Sequence, residues 1–203
     1  MQSIKQPVTH ETLIKHSRFI AFLAPVFTKE DAEAFIASVK AEHPDANHHC
    51  FAYILGDEGI VQKAEDDGEP SKTAGVPMLE TLKKNGLTNT VAVVVRYFGG
   101  IKLGAGGLIR AYGKSVSDAL EKAVRSERTE VLTLTVVAGF EWIGTVEHLL
   151  GEYSDDIRRS YDEAVHYELR LPENKANALR EALKERTGDQ ADCMIKKRTT
   201  EYL

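Results

Sequence analysis

The run Val91-Ala92-Val93-Val94-Val95 constrains this chain more than any other stretch. Five apolar residues without alternation suit a strand covered on both faces, because a half-exposed strand would alternate apolar with polar side chains. The segment that follows, Gly99-Gly100-Ile101-Lys102-Leu103-Gly104-Ala105-Gly106-Gly107, is rich in glycine and breaks the strand. Beyond it Leu108, Tyr112, Val116, Ala119 and Ala123 recur every three or four positions and predict a long amphipathic helix. A buried strand, a glycine-rich turn and a helix, from Thr90 to Leu120, thus predict the centre of a layered domain and its likeliest working surface.

The flanking sequence predicts the remaining layers. His10–Ile14 and Arg18–Val26 read as strands broken near Ser17. Thr28 suits the cap of a helix on which Ala32, Phe35, Ile36 and Val39 share one face and which His43-Pro44 ends. Cys50–Leu55 predicts a strand entering a turn at Gly56-Asp57-Glu58-Gly59. A loop is expected over 66–75, then a short helix from Pro77 to Asn85-Gly86. The polar stretch Glu127–Glu130 reads as the boundary between a domain over 1–129 and a second over 130–203. In the second, Val131–Ala138, a helix through Ile143, Val146 and Leu150, Ile157–Tyr161, an alternating strand from Val165, a helix ending at Gly188 and a strand from Ala191 follow in the order βαββαβ. That order points to a ferredoxin-like fold, and the chain as a whole to the α+β class.

Charge and thiol content narrow the function. A net charge of −5 argues against a protein that coats nucleic acid generally. The distribution is uneven: residues 1–129 balance 16 basic against 16 acidic residues, leaving 10 basic and 15 acidic of the chain's 26 and 31 for the remainder. From Thr81 to Ser117 there is no Asp or Glu, while Lys83, Lys84, Arg96, Lys102, Arg110 and Lys114 fall inside. Such an excess around a glycine-rich turn is a footprint for an anion, unless acids from elsewhere in the fold neutralise it. The N-terminus lacks the apolar core of a signal peptide and no apolar run is long enough to span a bilayer, so a cytoplasmic protein with two reduced cysteines, Cys50 and Cys193, and no membrane partner is expected.

Three motifs carry candidate chemistry. The glycine-rich turn, with Arg96, Tyr97, Gly99, Gly100, Lys102, Gly104, Gly106, Gly107, Arg110 and Lys114, can present backbone N–H groups and a helix dipole to an anion. The same glycines also serve plain strand-to-helix packing, and the pattern is neither a dinucleotide fingerprint nor a P-loop. Asp66, Asp67 and Glu69 place three carboxylates within four residues, enough oxygen for magnesium, with the Thr73 hydroxyl nearby. Acidic turns are also commonly just solvated. His48 and Cys50 share one face of a strand, but a zinc site would need two further ligands that the sequence does not supply. No G-x-S-x-G elbow or Cys-His-Asn signature is present, and no catalytic residue is assigned.

Read together, Lys15-His16-Ser17-Arg18-Phe19, His48-His49-Cys50, Asp67-Gly68-Glu69-Pro70, Thr73-Ala74-Gly75-Val76-Pro77 and the run from Val94 to Tyr112 resemble the YigZ/IMPACT family over nearly the whole chain. The resemblance implies an N-terminal domain like ribosomal protein S5 domain 2 and a ferredoxin-like C-terminal domain similar to one of elongation factor G. Eukaryotic members of the family act in translational control but carry another N-terminal domain not seen in this sequence, so the resemblance does not transfer their partner. For a bacterial two-domain member the resemblance implies a regulatory role linked to translation. The expected partner is RNA or the ribosome, another anionic ligand, or a protein, with no DNA specificity. The alternative is a magnesium-dependent enzyme or a nucleotide- or phosphate-binding protein built on the glycine turn and the acidic loop.

Overall fold

The computed structural model describes residues 1–202. Residues 1–127, with Tyr202, form one compact unit and residues 128–201 another. The first contains β1 (Gln2–Ile4), β2 (Val8–Ile14), β3 (Ser17–Pro25), α1 (Lys29–Glu42), β4 (His48–Leu55), β5 (Val61–Glu65), α2 (Gly75–Lys84), β6 (Thr90–Tyr97) and α3 (Ala105–Leu120). Five strands make a sheet in the order β2-β3-β6-β4-β5, every adjacent pair antiparallel.

The missing alternation in Val91–Val95 now has its reason. On one face, Val91, Val93 and Val95 of β6 pack with Ala32, Ile36 and Val39 of α1. On the other, Ala92 and Val94 meet Met78 and Leu82 of α2 and Leu108, Tyr112 and Val116 of α3. All five residues are fully buried. The same alternation continues past Val95 and sends Arg96 toward α2 and α3 and Tyr97 toward α1, although the two are neighbours in sequence.

Local signals set most boundaries. Thr28 caps α1 as expected: its hydroxyl accepts from the Asp31 N–H at 3.1 Å, while the Asp31 carboxylate accepts from the Thr28 N–H at 3.2 Å. Helix α2 starts at Gly75, earlier than Pro77, because its cap is not local. The Asp66 carboxylate reaches across the loop to accept from the N–H groups of Lys72, Ala74 and Gly75 at 2.6, 3.0 and 2.9 Å.

The charged stretch 127–130 is not a break in secondary structure. It lies within β7 (Arg125–Ala138), whose first residues pair with β1 in the register Gln2↔Glu127, Ser3↔Ser126 and Ile4↔Arg125. Ser3, Ile4 and Ser126 are buried, so the apolar pattern is carried by too few residues for periodicity to reveal.

In the second unit β7 is followed by α4 (Ile143–Gly151), β8 (Ile157–Tyr161), β9 (Val165–Pro172), α5 (Glu173–Thr187) and β10 (Ala191–Tyr202). The sheet order is β10-β7-β9-β8, which with the βαββαβ connection is the ferredoxin-like arrangement. Val165, Tyr167, Leu169 and Leu171 of β9 face a core completed by Val146 and Leu150 of α4 and Ala176, Leu179 and Leu183 of α5. Gly188, in the left-handed conformation at φ 59°, ends α5.

Candidate functional site

A charge on the buried face of a central strand must find a counter-charge, and Arg96 organises the first unit's site for that reason. Its cross-strand neighbours are Phe19 on β3 and His48 on β4. Its guanidinium lies between the rings of Phe19 and Phe98, 5.3 and 5.5 Å from their centroids. Nη1 donates to the Glu69 carboxylate at 2.6 Å, which also accepts from the Tyr112 hydroxyl at 2.7 Å. The Arg96 and Glu69 side chains are only 6% and 3% exposed, so this pair is internal. Nη2 reaches the Ser17 hydroxyl at 3.4 Å, and Ser17 Oγ accepts from the Gly99 N–H at 3.1 Å. Arg96 Nε is buried without a hydrogen-bond partner among the described residues.

His48 closes this cluster. Its Nδ1 lies 2.9 Å from the Asp67 carbonyl oxygen, which can only accept, so Nδ1 carries the proton. Nε2 is left facing Glu69, 3.9 Å away. Cys50, beside it on β4, donates its thiol to the Asp66 carbonyl at 2.9 Å. Burial pushes that thiol up to about 12, and burial likewise raises the Tyr112 phenol. Cys50 is accordingly expected to resist iodoacetamide at pH 8 in the folded protein and to react on unfolding. Mass spectrometry of the two thiols under native and denaturing conditions checks this. The sign for stability follows: both states hold the proton below about pH 9, and the unfolded chain ionises first above it, so stability falls between pH 9 and 12.

Above the buried cluster is a cavity of about 450 Å³ lined by Asn47, His48, Glu69, Arg96, Phe98 and Lys102, with Leu103, Gly104 and Leu108 completing its wall. It opens at the start of α3. Gly104, at φ 70°, occupies the N-cap and no side chain caps the helix; its first backbone bond runs from the Leu108 N–H to the Gly104 carbonyl. The N–H groups of Ala105, Gly106 and Gly107 are therefore free of helical partners, at the positive end of a 16-residue dipole. Arg110 bends back toward this end, with Nη1 3.6 Å from the place a Gly106 Cβ would occupy.

The residues expected from sequence thus divide. Lys102, Gly104, Gly106, Gly107 and Arg110 surround the helix end, and Arg96 lies beneath it. Tyr97 is on the opposite face of the sheet, its hydroxyl 2.9 Å from His43 Nδ1. Gly99 serves packing: a Cβ there would fall within 2.5 Å of the Ser17 nitrogen and closer still to the His16 carbonyl. Gly100 supplies a left-handed turn at φ 85°.

Of the six bases in the acid-free segment, three are neutralised from outside or from its borders. Lys83 pairs with Glu80, Arg96 with Glu69, and Lys114 with Asp118 at 2.8 Å. Lys84, Lys102 and Arg110 have no ion-pair partner among the described residues.

The acidic loop does not converge on one point. Asp66 caps α2 and Glu69 meets Arg96 and Tyr112. Asp67 accepts from the His49 N–H at 2.7 Å and pairs with Lys40 at 3.2 Å. Burial works to raise the Asp67 carboxyl, but those two donors outweigh it and hold the group below the usual carboxylate range. The Thr73 hydroxyl donates to the Pro70 carbonyl at 2.6 Å. Among the described residues no group of three or more His, Cys, Asp or Glu is placed to hold a metal ion. The expectation of a magnesium loop fails to gather support here because adjacent loop carboxylates each found a separate protein donor.

A larger hollow of about 650 Å³ lies in the second unit, lined by Arg158, Glu168, Arg170, Lys196 and Glu201 among others. Glu168 is shared by Arg158 and Lys196, and Arg170 pairs with Glu201. Asp156 and Lys197 also line it without an ion-pair partner among the described residues, so the charge left over there is of both signs, whereas the smaller cavity keeps the Lys102 cation alone.

Sequence reasoning overlooked Asn47, Phe98 and Tyr112 as parts of the site and weighed His48 only as a metal ligand. The available signal was Arg96 itself, a charge at a core-facing position of an apolar strand.

A five-stranded antiparallel sheet between helices, with a buried Arg-Glu pair under an uncapped helix end, joined in sequence to a βαββαβ unit, defines a two-domain α+β protein. Residues 15–120 match the Impact N-terminal domain and residues 136–190 a domain of unknown function, DUF1949. The chain belongs to the IMPACT family. It is 46% identical to the IMPACT family member YvyE of Bacillus subtilis over 99% of its own length and 92% of the relative's. It is 44% identical to the IMPACT family member YigZ of Escherichia coli over 83% and 84%. A crystal structure described as that of a hypothetical protein superposes with a TM-score of 0.62 at 38% identity, covering 97% of both chains. No described helix is long and apolar enough to cross a membrane.

Proposed function

We propose that this protein is a cytoplasmic, translation-linked regulator that binds RNA, free or within the ribosome, through the basic end of α3. The observation that carries the reading is the open helix N-terminus, which borders a concave pocket lined by Lys102 and has Arg110 turned back toward it beside Gly106. Free backbone donors, the helix dipole and two unpaired cations there act together on a phosphate. Membership of a family whose eukaryotic members act in translational control supports the biological setting. Binding is favoured over catalysis because, among the described residues, no serine, threonine or cysteine at the pocket is set against a base, and the Tyr112 hydroxyl that meets Glu69 is buried and held neutral. The Ser17 hydroxyl is held by Gly99 and Arg96, and Cys50 is buried and protonated.

Affinity for structured RNA is expected to fall steeply with salt, as counterion release requires. Lys102→Glu combined with Arg110→Glu should weaken it by more than about tenfold and make the salt slope shallower by about two. Fluorescence anisotropy across a salt series measures both, and sedimentation with ribosomes at low and high salt tests the setting. Undetectable RNA binding at low salt, or a double variant that binds like the parent, would sink the proposal.

A further inference from the structure

We propose that the pocket receives one unpaired nucleotide, its phosphate on the N-terminus of α3 and its base against Phe98. The inference rests on the anion-binding reading above and adds to it a base-recognition half. Three observations carry that half.

Phe98 is a large ring left 45% exposed on the pocket wall. Its position is held from two sides, by Arg96 beneath it and by its own N–H, which donates to Asn47 Oδ1 at 2.8 Å. An exposed aromatic ring fixed in this way beside a cationic helix end is a stacking platform.

The same hydrogen bond sets the polarity of Asn47: with Oδ1 committed, its amide N–H groups are the donors left over. His48 has the complementary constraint, since its Nδ1 proton is committed to the Asp67 carbonyl and Nε2 is an acceptor when the ring is neutral. Asn47 and His48 both line the pocket with Phe98. One oriented donor and one oriented acceptor next to a stacking ring match the edge of a base that has no pairing partner.

Arg96 supplies the third mark. It lines the cavity, its side chain is 94% buried by the 6% that remains exposed, and its Nε lacks a partner among the described residues. The Arg96 charge is matched by Glu69, but the unpartnered Nε–H beneath the opening favours a ligand that brings an acceptor, and the net positive charge at the opening comes from Lys102. A base pair has its edges already occupied, so the free donor and acceptor beside the ring favour an unpaired base.

Calorimetric titration with AMP, CMP, GMP and UMP, inorganic phosphate and the four nucleosides tests the inference on the full chain. At least one monophosphate is expected to bind about tenfold or more tighter than inorganic phosphate and than its own nucleoside. Phe98→Ala should bring that nucleotide down to the affinity of phosphate, Phe98→Trp should retain it, and Lys102→Glu should weaken nucleotide and phosphate together. Thermal melting of each variant confirms that it folds.

Competition then separates the sources: displacement of the bound monophosphate by a single-stranded RNA oligomer identifies a residue of RNA, and no displacement a free nucleotide. The inference is overturned if no monophosphate exceeds phosphate, or if Phe98→Ala changes nothing. RNA binding that depends on Lys102 and Arg110 but not on Phe98 leaves the anion surface standing and removes the nucleotide. Nucleotide binding without RNA binding keeps the nucleotide site and removes RNA as the partner.

Discussion

Glu69→Ala is expected to destabilise the first unit by about 3–5 kcal/mol, the usual consequence of leaving one partner of a buried ion pair uncompensated. The cost arises on the Arg96 side. With Glu69 gone, a guanidinium only 6% exposed keeps its charge, because arginine does not deprotonate in proteins, and Tyr112 loses the acceptor of its hydroxyl. Urea unfolding followed by circular dichroism gives the loss directly. Glu69→Gln should fall between parent and Glu69→Ala, since an amide oxygen can still accept from Arg96 or Tyr112 without supplying the charge. The double variant Glu69→Leu with Arg96→Met should lose less than Glu69→Ala alone, because removing both charges leaves no buried ion behind. A Glu69→Ala protein as stable as the parent would show that the pair does not organise this domain.

Gly99→Ala carries the second large effect, and for a different reason. The residue does not occupy the left-handed region; what it lacks is room. Its missing Cβ would overlap the backbone of His16 and Ser17 in the turn between β2 and β3. Backbone cannot rotate away as a flexible side chain can, so a strand or the turn must shift, at a cost of about 3 kcal/mol or more. The displacement would also draw the Gly99 N–H from Ser17 Oγ and disturb the support of Arg96. Gly106→Ala is the matched control: it would meet only the end of the Arg110 side chain at 3.6 Å, ordinary contact distance, and should leave stability within about 0.5 kcal/mol of the parent or raise it through better helix propensity. Equal melting temperatures for Gly99→Ala and the parent would contradict this account.

These two cases show why the glycine-rich turn was legible as a site but not as a mechanism. Its glycines look alike in sequence, yet Gly99 serves close packing, Gly100 a left-handed turn, and Gly104 an uncapped helix start. The acid-free segment was similarly incomplete. Sequence distance hides that Glu69 meets Arg96 across 27 residues, while Asp118, just beyond the segment, occupies Lys114. Lys102 and Arg110 are left without an ion-pair partner among the described residues because no element brings an acid to them.

The amino-acid sequence by itself determined the layers. The unbroken apolar run of β6, the helical spacing of α1 and α3 and the alternation of β9 followed from side-chain periodicity and local turn chemistry, which act within a few residues, and the family resemblance from the motif residues between Lys15 and Tyr112. Only the tertiary structure decided where the polar groups went. Whether Asp66 caps a helix or holds a cation, whether Arg96 is surface charge or buried partner, and which ring stands beside the helix end depend on groups brought together from β3, β4, β6, α3 and the loop before α2. Hydrogen bonds and ion pairs are short-ranged and directional, so their partners are selected only once packing has set the strands in register.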